Sequence, residues 1–163
     1  MVRHQQNKNN YNKGFTLAEL LVVMVILALL AAVSTPFVIN YIRDARNGHA
    51  KAALVQIAEA YKTFKADYPN ANISGSVTQE SRGTCSESTI DYSGDNDANV
   101  LVTCRYLRPM KWSSLKYNFT LGGNCGDKCA TTIASMTGAD GGDYGADYCA
   151  CVDDYGRIFD NKE

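Results

Sequence analysis

Histidine is almost missing from this chain of 163 residues: His4 and His49 are the only two. A histidine-based catalytic triad therefore has little to draw on. There is no glycine-rich loop leading into a lysine of the kind that cradles phosphate. Neither Cys-x-x-Cys nor Cys-x-x-Cys-His occurs, so a zinc knuckle of ordinary spacing and covalent haem attachment both lack support. Neither sign of charge dominates, with 16 Lys+Arg against 17 Asp+Glu, and the second half holds no basic cluster that would track a nucleic-acid backbone. These absences argue against an enzyme and against a nucleic-acid partner.

Two further absences are local. The first fourteen residues, "MVRHQQNKNNYNKG", contain no acid, while Arg3, Lys8 and Lys13 are basic. Removing those three from 16 leaves 13 basic against 17 acidic groups, so the rest of the chain is acidic, at −4. Cysteine is absent until position 85. All six then follow: Cys85, Cys104, Cys125, Cys129, Cys149 and Cys151. An even number beyond an export-like segment, in a region rich in Gly, Asp, Asn and Ser, reads as a disulfide framework rather than a metal site. Six cysteines allow fifteen connectivities, of which a local Cys125–Cys129 pair is the one expectation drawn from spacing.

What the front of the chain does have is a long apolar run. Residues 20–33 are fourteen consecutive apolar side chains, and with Ser34, Thr35 and Pro36 as the interruption the apolar character lasts to Ile39. As helix, those twenty residues reach about 30 Å, enough to span a bilayer. One carboxylate, Glu19, stands at its front edge. A charge so placed is costly in hydrocarbon and points to function. An ordinary secretory signal, cut near "AVS" at residues 32–34, leaves Glu19 unexplained, and so does a plain single-span anchor.

The stretch "KGFTLAELLVVMVILALLAAV", residues 13–33, resembles the prepilin leader and N-terminal helix of type IV pilins and pseudopilins. A basic leader ends in Gly14, Phe15 follows, then Thr-Leu, with Glu19 fifth after the expected cut. The likeness covers residues 13–69 well and the remainder in outline. It implies cleavage between Gly14 and Phe15 by a membrane-embedded prepilin peptidase and N-methylation of Phe15. It implies that Glu19 pairs in the filament with the Phe15 amine of a neighbour, and that Pro36 kinks the helix. Gly14 suits such a cut because a residue without a β-carbon lies easily in a protease cleft. A buried acid that gains a partner in trans would favour registered docking over random aggregation. The partners implied are further copies of the chain, the peptidase, the inner-membrane assembly machinery and, before assembly, lipid. The location implied is the inner membrane and then a surface filament. Two other roles within the resemblance are a periplasmic pseudopilin of a type II secretion system and a minor pilin with a binding head. Twitching, adhesion, DNA uptake and secretion are not distinguished.

After Pro36 the helical pattern turns amphipathic. Ala53, Ile57, Ala60, Phe64 and Tyr68 form one apolar stripe, and "YPN" at residues 68–70 stops the helix. A helix of about 54 residues, roughly 80 Å, results. The expected organisation is a cleaved leader at 1–14, a hydrophobic membrane and filament-core helix at 15–39, an amphipathic continuation at 40–69 and a disulfide-braced head at 70–163. Residues 71–99 read as a long loop. Strands are expected at "VLVTC" (100–104), "LKYNFTL" (115–121), "CATTIASM" (129–136) and "DYCACVD" (147–153), with an edge at "GRIF" (156–159). The fold class is α+β, pilin-like, with a small antiparallel sheet laid on the helix. Two acidic, glycine-rich stretches invite calcium, Asp95 with Asp97 and Asp140 with Asp143 and Asp147, although ordinary solvated turns account for them better. No other cofactor is expected.

Overall fold

The computed structural model describes residues 14–92, 94–123, 125, 129, 132–139, 144–145 and 147–161. Two compact units divide the chain, Met1–Tyr41 and Ile42–Glu163, and the division falls within the first helix. That helix, α1, runs Leu17–Asp67. It ends just before Tyr68-Pro69, since the residue preceding proline is driven out of the helical region. The second unit adds β1 (Asn72–Ser76), β2 (Asp95–Asp97), α2 (Val100–Thr103), β3 (Tyr117–Leu121), β4 (Thr132–Gly138), β5 (Cys149–Asp153) and β6 (Ile158–Asp160). A long helix packed against a six-stranded sheet, in the order β2-β1-β3-β4-β5-β6, makes the α+β, pilin-like arrangement.

The sheet is mixed, which corrects the antiparallel expectation. β1 and β2 run parallel, with Asn72 opposite Asp95 and Ser74 opposite Asp97, while the other neighbours are antiparallel. A parallel pair needs a crossover, and residues 77–94 supply it. The stretch 71–99 is therefore not one long loop. Strand β2 is built around Asn96, whose amide donates to the carbonyls of Asn72 (3.0 Å) and Asp91 (2.9 Å) and accepts from the Asp91 amide (2.8 Å). A buried amide with all three contacts made is cheap to bury and pins the edge. The second correction is "VLVTC": Val100, Leu101 and Val102 are all buried in a short helix, not alternating in a strand. The turn is started by Asp97, whose carboxylate accepts from the Asn99 amide at 2.7 Å.

The core forms where α1 meets the sheet. Ala53, Ile57, Ala60 and Phe64 of the expected stripe are buried there, joined by Ala50, Leu54 and Ala58 and by Phe119, Met136 and Val152 from the strands. On β5 the side chains alternate, as strand geometry requires. Ala150 and Val152 enter this core, while Cys149 and Cys151 face a second small cluster with Cys125, Cys129 and Phe159. That alternation puts both β5 cysteines beside Cys125 and Cys129. Cys149 and Cys151, two residues apart on one face, take Cys125 and Cys129 respectively, and Cys85 takes Cys104. The local Cys125–Cys129 pair does not form. Each bridge closes a loop of about twenty residues, worth about 3 kcal/mol in the chain-entropy account.

Polar contacts join α1 to the C-terminal strands. Asp44, Asn47 and Lys51 share one helix face at spacings of three and four. Tyr144 donates to Asp44 (2.7 Å), Tyr148 donates to Asn47 (3.0 Å), and Lys51 pairs with the buried Asp160 at 2.6 Å. Burial and the Asp160 charge push the Tyr148 phenol up to about 12. At the β5–β6 turn, Asp153 is buried, which opposes ionisation, but the Arg157 amide and guanidinium and the Tyr155 amide outweigh it and hold the carboxyl below its ordinary range.

Two outcomes follow. Peptide mapping without reduction should recover Cys85–Cys104, Cys125–Cys149 and Cys129–Cys151 and no free thiol; a Cys125–Cys129 peptide would refute this packing. The pH profile of head stability should have two edges. A depressed carboxyl contributes stability above its unfolded value near 3.9 that is lost as pH falls through the folded one, so Asp153→Asn should flatten the acid edge. A raised phenol contributes stability up to pH ~10 that is lost as pH rises toward 12, so Tyr148→Phe should flatten the alkaline edge. Thermal melts from pH 2 to pH 12 would show both.

Candidate functional site

The segment most in need of a functional explanation is the start of α1. From Phe15 to Ile42 the large apolar side chains are exposed, Phe15 at 84% and Leu17 at 91%. The helix is long and apolar enough there to cross a membrane. Soluble monomers rarely expose apolar surface on this scale, and patches of this kind mark contact with protein or lipid.

Glu19 has a local role that the sequence reading missed. Thr16 immediately precedes α1, and both its amide and its hydroxyl donate to Glu19 Oε2, at 2.9 and 3.0 Å. In return the Glu19 amide donates to Thr16 Oγ1 at 3.2 Å. This is a capping box: Thr16 is the N-cap and Glu19 stands three residues on, each satisfying a backbone donor that the helix start leaves open. The acid also lies where the helix dipole favours negative charge. The Thr-x-x-Glu spacing ahead of an apolar run was the signature available for finding it.

Gly14 lies outside α1, and a β-carbon built there would meet no atom within 4 Å. Packing against the described residues therefore does not require glycine at this position. Pro36 sits inside α1 and has no amide for the Ala32 carbonyl. Just before it, Ser34 donates to the Leu30 carbonyl at 3.0 Å and Thr35 to the Ala31 carbonyl at 2.8 Å. The helix is unbroken across these residues.

The acidic stretches do not assemble into a metal centre among the described residues, where no group of three or more His, Cys, Asp or Glu side chains is placed to hold an ion. Asp95 and Asp97 flank the inward-facing Asn96 on β2, and Asp97 is taken up in the turn into α2. Asp147 offers its backbone carbonyl to Asn161. Asp140 and Asp143 lie outside the described residues. Calcium needs several convergent oxygens, and among the described residues Asp95, Asp97 and Asp147 do not supply such a set.

Comparison with known proteins bears on the N-terminus alone. Residues 9–35 match the family model described as the prokaryotic N-terminal methylation motif. No curated protein and no solved structure matches the chain. The front of the chain is thus a prepilin-type leader and methylation segment, of the kind carried by type IV pilins and pseudopilins.

The cap is testable by itself. Thr16→Ala removes the N-cap hydroxyl, at about 1 kcal/mol, and should speed amide exchange over the first turn of α1 roughly fivefold, whereas Thr16→Ser should not. Equal exchange in Thr16→Ala and the unsubstituted chain would dismiss the capping role.

Proposed function

We propose that this chain is the structural subunit of a type IV pilus filament. A prepilin peptidase cuts between Gly14 and Phe15, the new amine of Phe15 is methylated, and residues 15–39 hold the subunit in the inner membrane. The same helix then polymerises with its copies into a surface fibre, and the disulfide-braced head forms the outer wall. The observation that carries this reading is the exposed apolar surface of α1, starting at the methylation motif. Burying such surface contributes roughly 25 cal/mol per Å², and packing among like helices buries it without needing a second protein. Pro36, which withholds an amide from Ala32, is where the helix would bend on packing.

The filament gives Glu19 a second partner. Inside a bundle of apolar helices, the Phe15 amine of a neighbouring subunit would be buried and in need of a counter-charge. Glu19 is the one acid in residues 1–43. Insertion into the membrane does not need it, and neither does cleavage.

Two experiments test the reading. Mass analysis of sheared surface fibres should give a subunit starting at methylated Phe15. Gly14→Leu should leave a folded but uncut precursor, because the position has room for the side chain; normal cleavage of that variant would contradict the processing site. In the second experiment, fibre yield and cleavage are measured together for two variants. Glu19→Ala, which loses both cap and charge, should be cleaved normally and give little or no fibre. Glu19→Gln keeps a side chain that can complete the capping box but cannot neutralise an amine, so its yield should fall between Glu19→Ala and the unsubstituted chain. Full fibre yield from Glu19→Ala would overturn the pairing.

A further inference from the structure

The head contains a cleft that is held open by specific hydrogen bonds. β1 pairs with β3 at Gly75 opposite Leu121 and Ser76 opposite Thr120, and the Val77 amide still reaches the Phe119 carbonyl at 2.9 Å. Beyond Val77 the two segments part. Asn99 Oδ1 accepts from the amides of both Thr78 and Gln79, each at 2.8 Å, and the Trp112 indole donates to the Gln79 carbonyl at 2.9 Å. Trp112 packs edge-on against Phe119, with ring centres 5.4 Å apart. The space left between them is about 290 Å³.

Its floor is apolar, formed by the buried Val77, Trp112 and Phe119, and its rim is polar and exposed, formed by Ser76, Thr78, Glu80, Ser113 and Asn118. The rim groups are positioned but not used up. Glu80 Oε1 accepts from the Ser113 hydroxyl at 2.6 Å and its amide at 3.2 Å, and no bond among the described residues falls on Oε2. The Ser113 hydroxyl and amide, with the nearby Lys111 charge, hold the Glu80 carboxyl below its ordinary range, so it is an ionised acceptor at neutral pH. Thr78 Oγ1 accepts from Asn99 at 3.3 Å and keeps its own proton to donate. The side-chain amide of Asn118 makes no hydrogen bond among the described residues and offers both a donor and an acceptor.

From this lining we infer that the cleft is a binding site for a neutral sugar, one ring in size. The volume lies at the lower end of ligand pockets, which suits a single ring. A sugar has edge hydroxyls that both donate and accept, matching Thr78, Glu80, Ser113 and Asn118, and C–H groups for the apolar surface between them. An anion would meet the Glu80 carboxylate. A wholly apolar guest would strip water from the rim groups without replacing their hydrogen bonds. A cation would have only the Glu80 carboxylate to face, with the Lys111 charge beside it. An added strand has only Tyr117 and Asn118 of β3 to pair with, too short a stretch for that mode.

Trp112 is the only tryptophan in the chain, so tryptophan emission reports on this cleft alone. The full chain, in a zwitterionic detergent without a sugar headgroup, is titrated with glucose, galactose and N-acetylglucosamine up to about 100 mM, which saturates any site of millimolar affinity. At least one sugar should give a saturable change. Glu80→Ala and Asn118→Ala should each weaken it tenfold or more, and Tyr155→Ala, at the distant β5–β6 turn, should leave it unchanged. Should Glu80→Ala disturb the fold by circular dichroism, Asn118→Ala carries the test, because its side chain makes no bond to lose. No saturable change with any of the three sugars overturns the proposal, as does equal affinity in Asn118→Ala or a response to methylammonium in place of sugar.

Discussion

The constraint on which the rest of this chain depends is an apolar surface that it does not cover itself. Between Phe15 and Ile42 the large apolar side chains are exposed, and each fully covered leucine or valine would contribute about 1.5–3 kcal/mol. Water is the wrong solvent for that surface. Lipid or a set of like helices would serve, and the methylation motif at residues 9–35 belongs to proteins that are processed at such a segment. Past Ile42 the composition of α1 changes in a way that suits a different neighbour. Ala50, Ala53, Ala58 and Ala60 allow the sheet to come close, while Leu54, Ile57 and Phe64 fill the space between.

The head is small, and the packing of α1 covers only one face of its sheet. On β5 the opposite face is covered by the cluster of Cys125, Cys129, Cys149, Cys151 and Phe159. Two crosslinks, Cys125–Cys149 and Cys129–Cys151, stand on that face in place of a second hydrophobic layer. The third, Cys85–Cys104, ties the crossover between β1 and β2 to the end of α2. The cleft beside Trp112 lies where β1 leaves the sheet for that crossover. The bond from Asn99 and the bond from the Trp112 indole keep the departing chain from closing back on β3.

Legibility in the sequence followed the range of the interactions. The apolar run, the stripe of Ala53, Ile57, Ala60 and Phe64, and the strands around Phe119, Met136 and Val152 repeat at the period of their own element, so a local reading finds them. The failures all depend on distant partners. "DND" has poor strand propensity and becomes β2 because Asn96 is taken up by Asn72 and Asp91. "VLVT" has strong strand propensity and becomes α2 because all three of its large side chains find the core from one helical turn. Cys125 and Cys129 pair across to Cys149 and Cys151, which β5 presents on one face, and local spacing between Cys125 and Cys129 does not reveal this. The capping box is a different case. Its signature is local, since Thr16 and Glu19 stand three residues apart ahead of the apolar run.

Glu19 belongs both to the single chain and to the proposed filament. In the single chain it is satisfied by Thr16, through one backbone amide and one hydroxyl. A carboxylate has room for about four such contacts, so the cap does not saturate it. On the proposed reading, cleavage creates a cation on Phe15, one residue from Thr16 and therefore close to the carboxylate of its own chain. Pairing with a neighbour must then compete with pairing at home. At a membrane surface, where water solvates both charges, the difference between the two is small. Once the helix is drawn among others and water is excluded, every unpaired charge becomes expensive, and the arrangement that pairs all amines and all carboxylates is favoured. The capping box keeps the carboxylate in place at the first turn throughout. On the proposed reading it fixes the position from which Glu19 is shared, and the environment decides with whom.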